Sequence, residues 1–430
     1  MTDAKLEDFS LDITLKEEIS EEDEPDIKKE EAVALYSRSM AFSISNGLVS
    51  PFVSFIALNM GATAGILAWI QAVANLLRQF LDPIFGRLSD VSRRRIPFII
   101  VSTITWILPY AFLFWVKSPI YIILIVALVN ILMSLGNPAW MALQNELFPA
   151  RARGKLTGRV TWFGSFGSMI ATFFTGIILT FAFEEIDYQQ TILIPVAIGF
   201  VISVIAILPF RKIEEPLLRV GVKIEKETQS LRVNIKEVFN NKPFMKFTIL
   251  YSIFGIFWTF SWPLFSIKQV HILGATALEV SILEIIFAGT SLIFILLGAK
   301  VADKVGRTKL VFLNRACLFL FPLGYIFATK IWHLYLVHFF VSSLFSFGFA
   351  GVNAYILDLV PRKKSGFYIG VLSMVTGIFY FIGTLAGGYS VEILMNWYSE
   401  AVALTIALAF VAGVRFLLSF MFLSLKEVPR

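Results

Sequence analysis

Residues 86–97, GRLSDVSRRRIP, and residues 299–310, AKVADKVGRTKL, decide how this chain is built, because the second stretch repeats the first. Asp90 and Arg94 recur as Asp303 and Arg307, both 213 residues later. Further on, Glu146, Pro149, Gly154 and Gly158 recur as Asp358, Pro361, Gly366 and Gly370, each displaced by 212. Agreement to one residue at two separate places points to a duplicated half. Parallel repeats about an axis along the membrane normal are how many secondary transporters build a site at the bilayer midplane, so the repeat predicts solute transport.

Composition supports a membrane reading. The 430 residues are 57% hydrophobic, include 43 Phe and have a mean hydropathy of +0.76, against roughly 45–50% apolar residues in soluble domains. Apolar runs of about 20 residues recur, which suits helices and not the weak alternation of outer-membrane barrels. They predict twelve spans, near 34–59, 63–88, 96–116, 119–147, 157–183, 191–210, 244–267, 277–300, 308–329, 332–359, 365–390 and 400–424. The expected fold class is an all-α integral membrane protein, with twelve transmembrane helices in two pseudo-symmetric six-helix bundles.

Charge gives the orientation, because Lys and Arg near span ends stay cytoplasmic while acidic residues count for little. The loops after even-numbered spans carry Arg87 and Arg93–Arg95, Arg151, Arg153 and Lys155, Lys300, Lys304, Arg307 and Lys309, and Arg362–Lys364. The opposite loops hold little beyond Lys117, Lys268 and Lys330. Both termini are therefore expected in the cytoplasm, in a multi-pass protein of the plasma membrane. The net charge of +6 conceals an acidic stretch, residues 1–32, with 13 acidic and 4 basic side chains. This tail reads as disordered and lacks the basic-then-apolar order of a cleaved signal peptide. A basic excess confined to loops beside the membrane fits topology and anionic lipid, not nucleic acid.

The expected domains are the tail 1–32, a first bundle 33–210, a cytoplasmic linker 211–243, a second bundle 244–424 and a cytoplasmic C-terminus 425–430. Within the linker, Leu231, Ile235, Val238 and Phe239 have helical spacing, consistent with either a short surface helix or a flexible tether. The single cysteine, Cys317, excludes an intramolecular disulfide and a cysteine-built metal site. There is no phosphate-binding glycine loop and no clustered His, Cys or carboxylate triad for hydrolysis, so neither ATP-driven pumping nor hydrolysis is expected, and no cofactor or metal. The protein is expected to be a monomer, not an enzyme, whose partners are a small-molecule substrate and the lipid bilayer.

Gly86 through Asp90 with Arg93–Arg95, and Ala299 through Arg307, resemble the loop signature of the major facilitator superfamily, and the resemblance covers residues 33–424. It implies a latch on the outward-facing state, carried here by Gly86, Asp90, Arg94, Asp303 and Arg307. Glu146 and Asp358 end the fourth and tenth spans near the same face. The expected pairs are Arg94 with Glu146 and Arg307 with Asp358, broken on inward opening; the alternative is ordinary interfacial charge.

A narrower resemblance surrounds the second span. Asp82, Pro83, Gly86, Ser89, Asp90, Ser92, Arg93–Arg95 and Pro97, with Pro138, Trp140, Glu146 and Leu147, are similar to the glycoside-pentoside-hexuronide cation symporters and related sucrose carriers. That implies a sugar- or glycoside-like solute moved by symport. Two carboxylate positions of the melibiose-type members hold Arg78 and Gly136 here, which argues against sodium, since sodium needs several converging oxygen ligands. Proton coupling is the expectation instead.

Arg78 and Asp82, four apart on one helix face, can neutralise each other in the membrane. Arg78 could instead hold an anionic group of the substrate, or Asp82 a proton. Glu284, about two turns into the eighth span, is the other coupling candidate, a carboxyl in apolar surroundings. Asn46, Gln71, Asn75, Asn130, Asn137, Trp258, Trp262 and Asn353 are the substrate-binding candidates, since amides and aromatic faces suit a polyhydroxylated ligand, although some would be interhelical glue. Arg38, Arg315 and Arg415 read as snorkelling or packing groups, and His338 as a hydrogen-bonder or a proton relay. Efflux of organic acids or amphipathic compounds is the second functional reading, and a membrane sensor or lipid-handling protein the third.

Overall fold

A computed structural model describes residues 29–148, 153–181, 188–213, 231–361 and 364–427. Among these residues there is no strand, and twelve helices are long and apolar enough to cross a membrane. They are α1 Glu30–Asn59, α2 Ala64–Ser92, α3 Ile96–Trp115, α4 Ile120–Leu147, α5 Leu156–Phe181 and α6 Leu193–Phe210, then α7 Lys242–Ile272, α8 Ala277–Val301, α9 Arg307–Phe327, α10 Ile331–Leu359, α11 Phe367–Leu394 and α12 Glu400–Ser424. The ends anchored by capping residues are sharp. Thr63 accepts from Ile66 N ahead of α2, and Thr276 and Glu279 cap the start of α8 reciprocally, which satisfies amides that a helix leaves open.

Helices pack in equivalent pairs in both halves: α1 on α5 and α2 on α4 in the first, α7 on α11 and α8 on α10 in the second. Small residues permit the approach, since lipid supplies no hydrophobic drive for helix association. Gly348 and Gly351 of α10 sit against the backbone of α9, and Gly383 and Gly387 of α11 against α7 carbonyls. The two bundles meet along two seams, α2 with α11 and α5 with α8.

Both first helices of the bundles are broken at mid-span. A 3-10 turn at Ser50–Phe52 interrupts α1, and α7 breaks at Ser261 ahead of Trp262–Ile267. The breaks follow Pro51 and Pro263, which are 212 residues apart and lack the amide that would continue the ladder. In α7 the freed carbonyls are taken by buried Arg415, which donates to Phe257 O at 2.9 Å, to Trp258 O at 2.7 Å and to Ser261 Oγ. Its role is therefore to hold the break open, more than simple packing.

The linker contains a helix, Leu231–Asn240; the rest of it between 214 and 230, like the acidic tail before residue 29, lies outside the described residues. Val238 is buried against the second bundle, and Glu237 pairs with Lys364 beside the start of α11.

Candidate functional site

At the end of the molecule opposite the arginine-rich loops, the two seams are closed by the same device used twice. Gly65 N, in the first turn of α2, donates to Glu392 Oε1 of α11 at 2.8 Å. Leu278 N, in the first turn of α8, donates to Thr180 Oγ1 of α5 at 2.9 Å. Gly388 lets α11 touch Ala64 and Ala68, and Gly176 lets α5 touch Leu278 and Ser281. Gly65 and Leu278, Glu392 and Thr180, Gly388 and Gly176, and Ala68 and Ser281 are each 212 or 213 positions apart. Helix N-termini favour an acceptor of negative charge, so both seals use an intrinsic property of the backbone.

Toward the basic end two glycines of the seam helices have room beside them. A Cβ built on Gly158 of α5 or on Gly370 of α11 meets nothing within 4 Å, whereas Gly176 and Gly388 have no room for one. The seams are thus tightly packed at the sealed end and leave open space beside Gly158 and Gly370.

A cavity lies beneath the seal in three adjoining compartments of about 310, 310 and 150 Å³. The broken part of α1 is their hub: Ser50 and Ser54 border both larger compartments, Asn46 borders one of them and the smallest, and Pro51 joins the smallest to the other. Of the candidates, Asn46, Gln71, Asn130, Arg78, Trp262 and Glu284 line this space. Asn75 donates to Gln71 O one turn away, and Trp258 packs edge-on against Trp262 at 5.4 Å behind the wall. Neither borders a compartment, and the same holds for Asn137 and for Asn353, which is exposed nearer the basic end. A larger cleft of about 410 Å³ lies at the basic end within the second bundle, off any path between the halves.

Sequence reasoning named His338 but missed the lining groups Gln269, Tyr325 and Ser266. Gln269 donates to Tyr325 OH at 2.6 Å, and Tyr325 OH meets His338 Nε2 at 2.9 Å, a chain bordering the same compartment as Glu284. Applying the repeat offset to Ser54 and to Pro51 would have flagged Ser266 and Pro263.

The expected ion pair between Arg78 and Asp82 does not form. Arg78 Nη2 turns to Asn130 Oδ1 at 3.3 Å and Met133 Sδ at 3.6 Å; a base four residues ahead of an acid is the less favourable order for a helical ion pair. Asp82 feels that charge without contacting it, and its Oδ1 is buried with no hydrogen-bond partner.

At the basic end, the guanidinium that meets Glu146 belongs to Arg95, not Arg94. Arg95 is 6% exposed and bonds Glu146 Oε1 at 3.1 Å, Asp90 Oδ1 at 2.5 Å and Ser89 Oγ at 2.7 Å, while Arg94 is exposed. The cause is the connection. Arg93 has φ 52° and leads through a three-residue turn into α3, whereas Gly306 alone joins α8's helix to α9 and puts Arg307 in its first turn. Arg307 pairs with Asp358 and also donates to Ala354 O at 3.3 Å. The side chain of Asp303 lies outside the described residues. Both pairs are intact in this structure. Each joins helices of one bundle, so it moves with that bundle. Gly86 belongs to the same packing: its Cα faces Pro138 of α4, with 3.2 Å left for a Cβ.

Two six-helix bundles sealed at one end over a central polar cavity define a membrane protein of the transporter class. The chain matches the Major Facilitator Superfamily over residues 36–269 and 247–430, and it belongs to that family. Its fold is similar to a mutant of the nucleoside transporter NupG, with 13% identity, 93% of this chain and 100% of that one covered and a TM-score of 0.74. It is also similar to a bacterial homolog of the human lysosomal transporter Spinster in an inward-facing, unoccupied conformation, with 13% identity, 94% and 100% covered and a TM-score of 0.68. No curated protein sequence matches the chain.

Proposed function

We propose that the protein moves a small polar solute across the plasma membrane by alternating access, with its termini in the cytoplasm and the basic end facing inward. The observation that carries this reading is the cavity itself, walled by both bundles and closed on one side by two equivalent helix-end seals. Rocking the bundles about the cavity would open those seals and close the basic end, with the Arg95 and Arg307 clusters keeping each bundle's loops rigid. Gly86, Asp90 and Asp303 take part in that closure in this reading, as the family resemblance implies.

Transport is coupled to protons at one of two carboxyls that no cation contacts, Glu284 or Asp82. Symport of a sugar- or glycoside-like solute is what the resemblance to the cation symporters implies. Asn46, Gln71 and Asn130 beside Trp262 support it, as amides and an aromatic face suit hydroxyl-rich ligands. A second reading, export of an organic acid, is favoured by Arg78, a cation in the cavity that no carboxylate neutralises. Solute counterflow in liposomes containing the purified protein tests the carrier reading. Accumulation driven by an imposed pH gradient is expected to survive one of Glu284→Gln and Asp82→Asn and fail in the other. Survival in both, and in the double variant, removes proton coupling at these positions.

A further inference from the structure

The duplicated frame makes the cavity's charges directly comparable. Gln71 of α2 and Glu284 of α8 are 213 positions apart, so they occupy the same place in the two halves, and they border the same compartment. Parallel repeats hold equivalent residues at equivalent depth. Arg78, two turns along α2 from Gln71, has Ser291 as its counterpart. Among the lining residues, the first half thus presents a cation and no carboxylate, and the second a carboxylate and no Lys or Arg.

Neither charge is in contact with an opposite charge of the protein. Among the described residues Arg78 has only the neutral partners Asn130 and Met133, and Glu284 makes no hydrogen bond or ion pair. Both side chains are accessible inside the cavity, so a solute can reach them. Their compartments share Ser50, Ser54 and Gln71 as lining residues. An uncompensated charge inside a membrane protein is costly, and a partner supplied from outside relieves it. Around Glu284 the compartment is walled by Trp262, Phe265 and Tyr325, and aromatic faces attract cations.

We propose that the transported solute is amphoteric, its anionic group held by Arg78 of the first bundle and its protonated amine by Glu284 of the second. This rests on the carrier reading and narrows it. The solute then bridges the bundles with no net charge of its own, and Asp82 is left to carry the coupling proton. The spacing is also defined. Seven residues of helix at ~1.5 Å each separate the level of Glu284 from the backbone of Arg78, about 10 Å, shortened by the reach of the arginine back toward the seal. A solute whose charges are well separated fits better than an α-amino acid.

A ladder of ω-amino acids tests this: glycine, β-alanine, γ-aminobutyrate and ε-aminocaproate, with caproate, hexylamine and sucrose as controls. Thermal stabilisation of the purified protein reports binding, and counterflow in liposomes reports transport. Stabilisation should rise along the ladder and exceed that from every control. Arg78→Gln should weaken binding of the best amphoteric compound by about tenfold or more, to the level of hexylamine, Glu284→Gln to the level of caproate, and Arg78→Lys should restore much of the loss. If a control stabilises as well as every amphoteric compound, or if none of the ladder binds, the proposal is overturned. Binding of the ladder without counterflow of any compound keeps the proposal and removes the carrier reading. Counterflow of sucrose untouched by Arg78→Gln does the reverse.

Discussion

The two halves are near copies at the sealed end and diverge at the basic end. At the seal, Gly65, Gly388 and Glu392 of one seam match Leu278, Gly176 and Thr180 of the other, contact for contact. At the basic end, Arg95 serves the first half while Arg307, the equivalent of Arg94, serves the second. Helix starts and glycine contacts are fixed by backbone geometry, so they tolerate little drift after duplication. A guanidinium on a long stem reaches the same carboxylate from neighbouring positions, so a change of loop length moves the role by a residue without losing it.

The largest expected effect breaks the copy at the basic end. Arg95→Ala should cost about 2–3 kcal/mol, since it leaves Glu146 without its charged donor, whereas Arg94→Ala should stay within about 0.5 kcal/mol as an exposed change. Melting of the two variants in detergent decides; equal losses would return the role to Arg94.

Next in size is the seal. Gly388→Val and Gly176→Val should each force a seam apart at about 1–3 kcal/mol. Gly388→Val should be worse, because its new side chain meets the Ala64 carbonyl while that of Gly176→Val first meets the movable Ser281 hydroxyl. Spin-label distances across the sealed end should lengthen in both, and unchanged distances would show that the glycines are mere spacers.

The acceptors differ as well. A carboxylate on a helix N-terminus is worth more than a hydroxyl, so Glu392→Ala should depopulate the sealed state by about tenfold and Thr180→Val by roughly fivefold, near 1.4 and 1 kcal/mol. The same distance distributions measure this, and a larger effect at Thr180 would mean that charge plays no part.

The smallest contrast concerns the broken helices. Pro263→Ala should leave α7 broken, because Arg415 still occupies its carbonyls, while Pro51→Ala should let α1 gain amide protection across residues 50–52, with stability moving by less than about 1 kcal/mol. Hydrogen exchange that slows equally at both sites would remove Arg415 from the account.

Much of the fold was legible because a bilayer imposes it. Span length and apolar content are local properties, and every predicted span lies within a few residues of its helix. The cavity was legible in part. Asn46, Gln71, Arg78, Asn130, Trp262 and Glu284 were identifiable as polar or aromatic groups at the right depth, but Asn75, Asn137, Trp258 and Asn353 satisfy the same description and face elsewhere. Depth follows from position in a span, while the direction a side chain faces depends on how each helix is rotated against its neighbours, which no single span encodes.

By itself, the sequence determined twelve helices, a duplication, and an excess of Arg and Lys at one end, since each follows from transfer of local groups between water and lipid. Only the tertiary structure decided that Arg95 holds Glu146, that Arg78 turns from Asp82 to Asn130, and that Glu392 and Thr180 seal two helix ends. Those outcomes depend on distances between residues up to 327 positions apart, and such distances exist only once the bundles have packed.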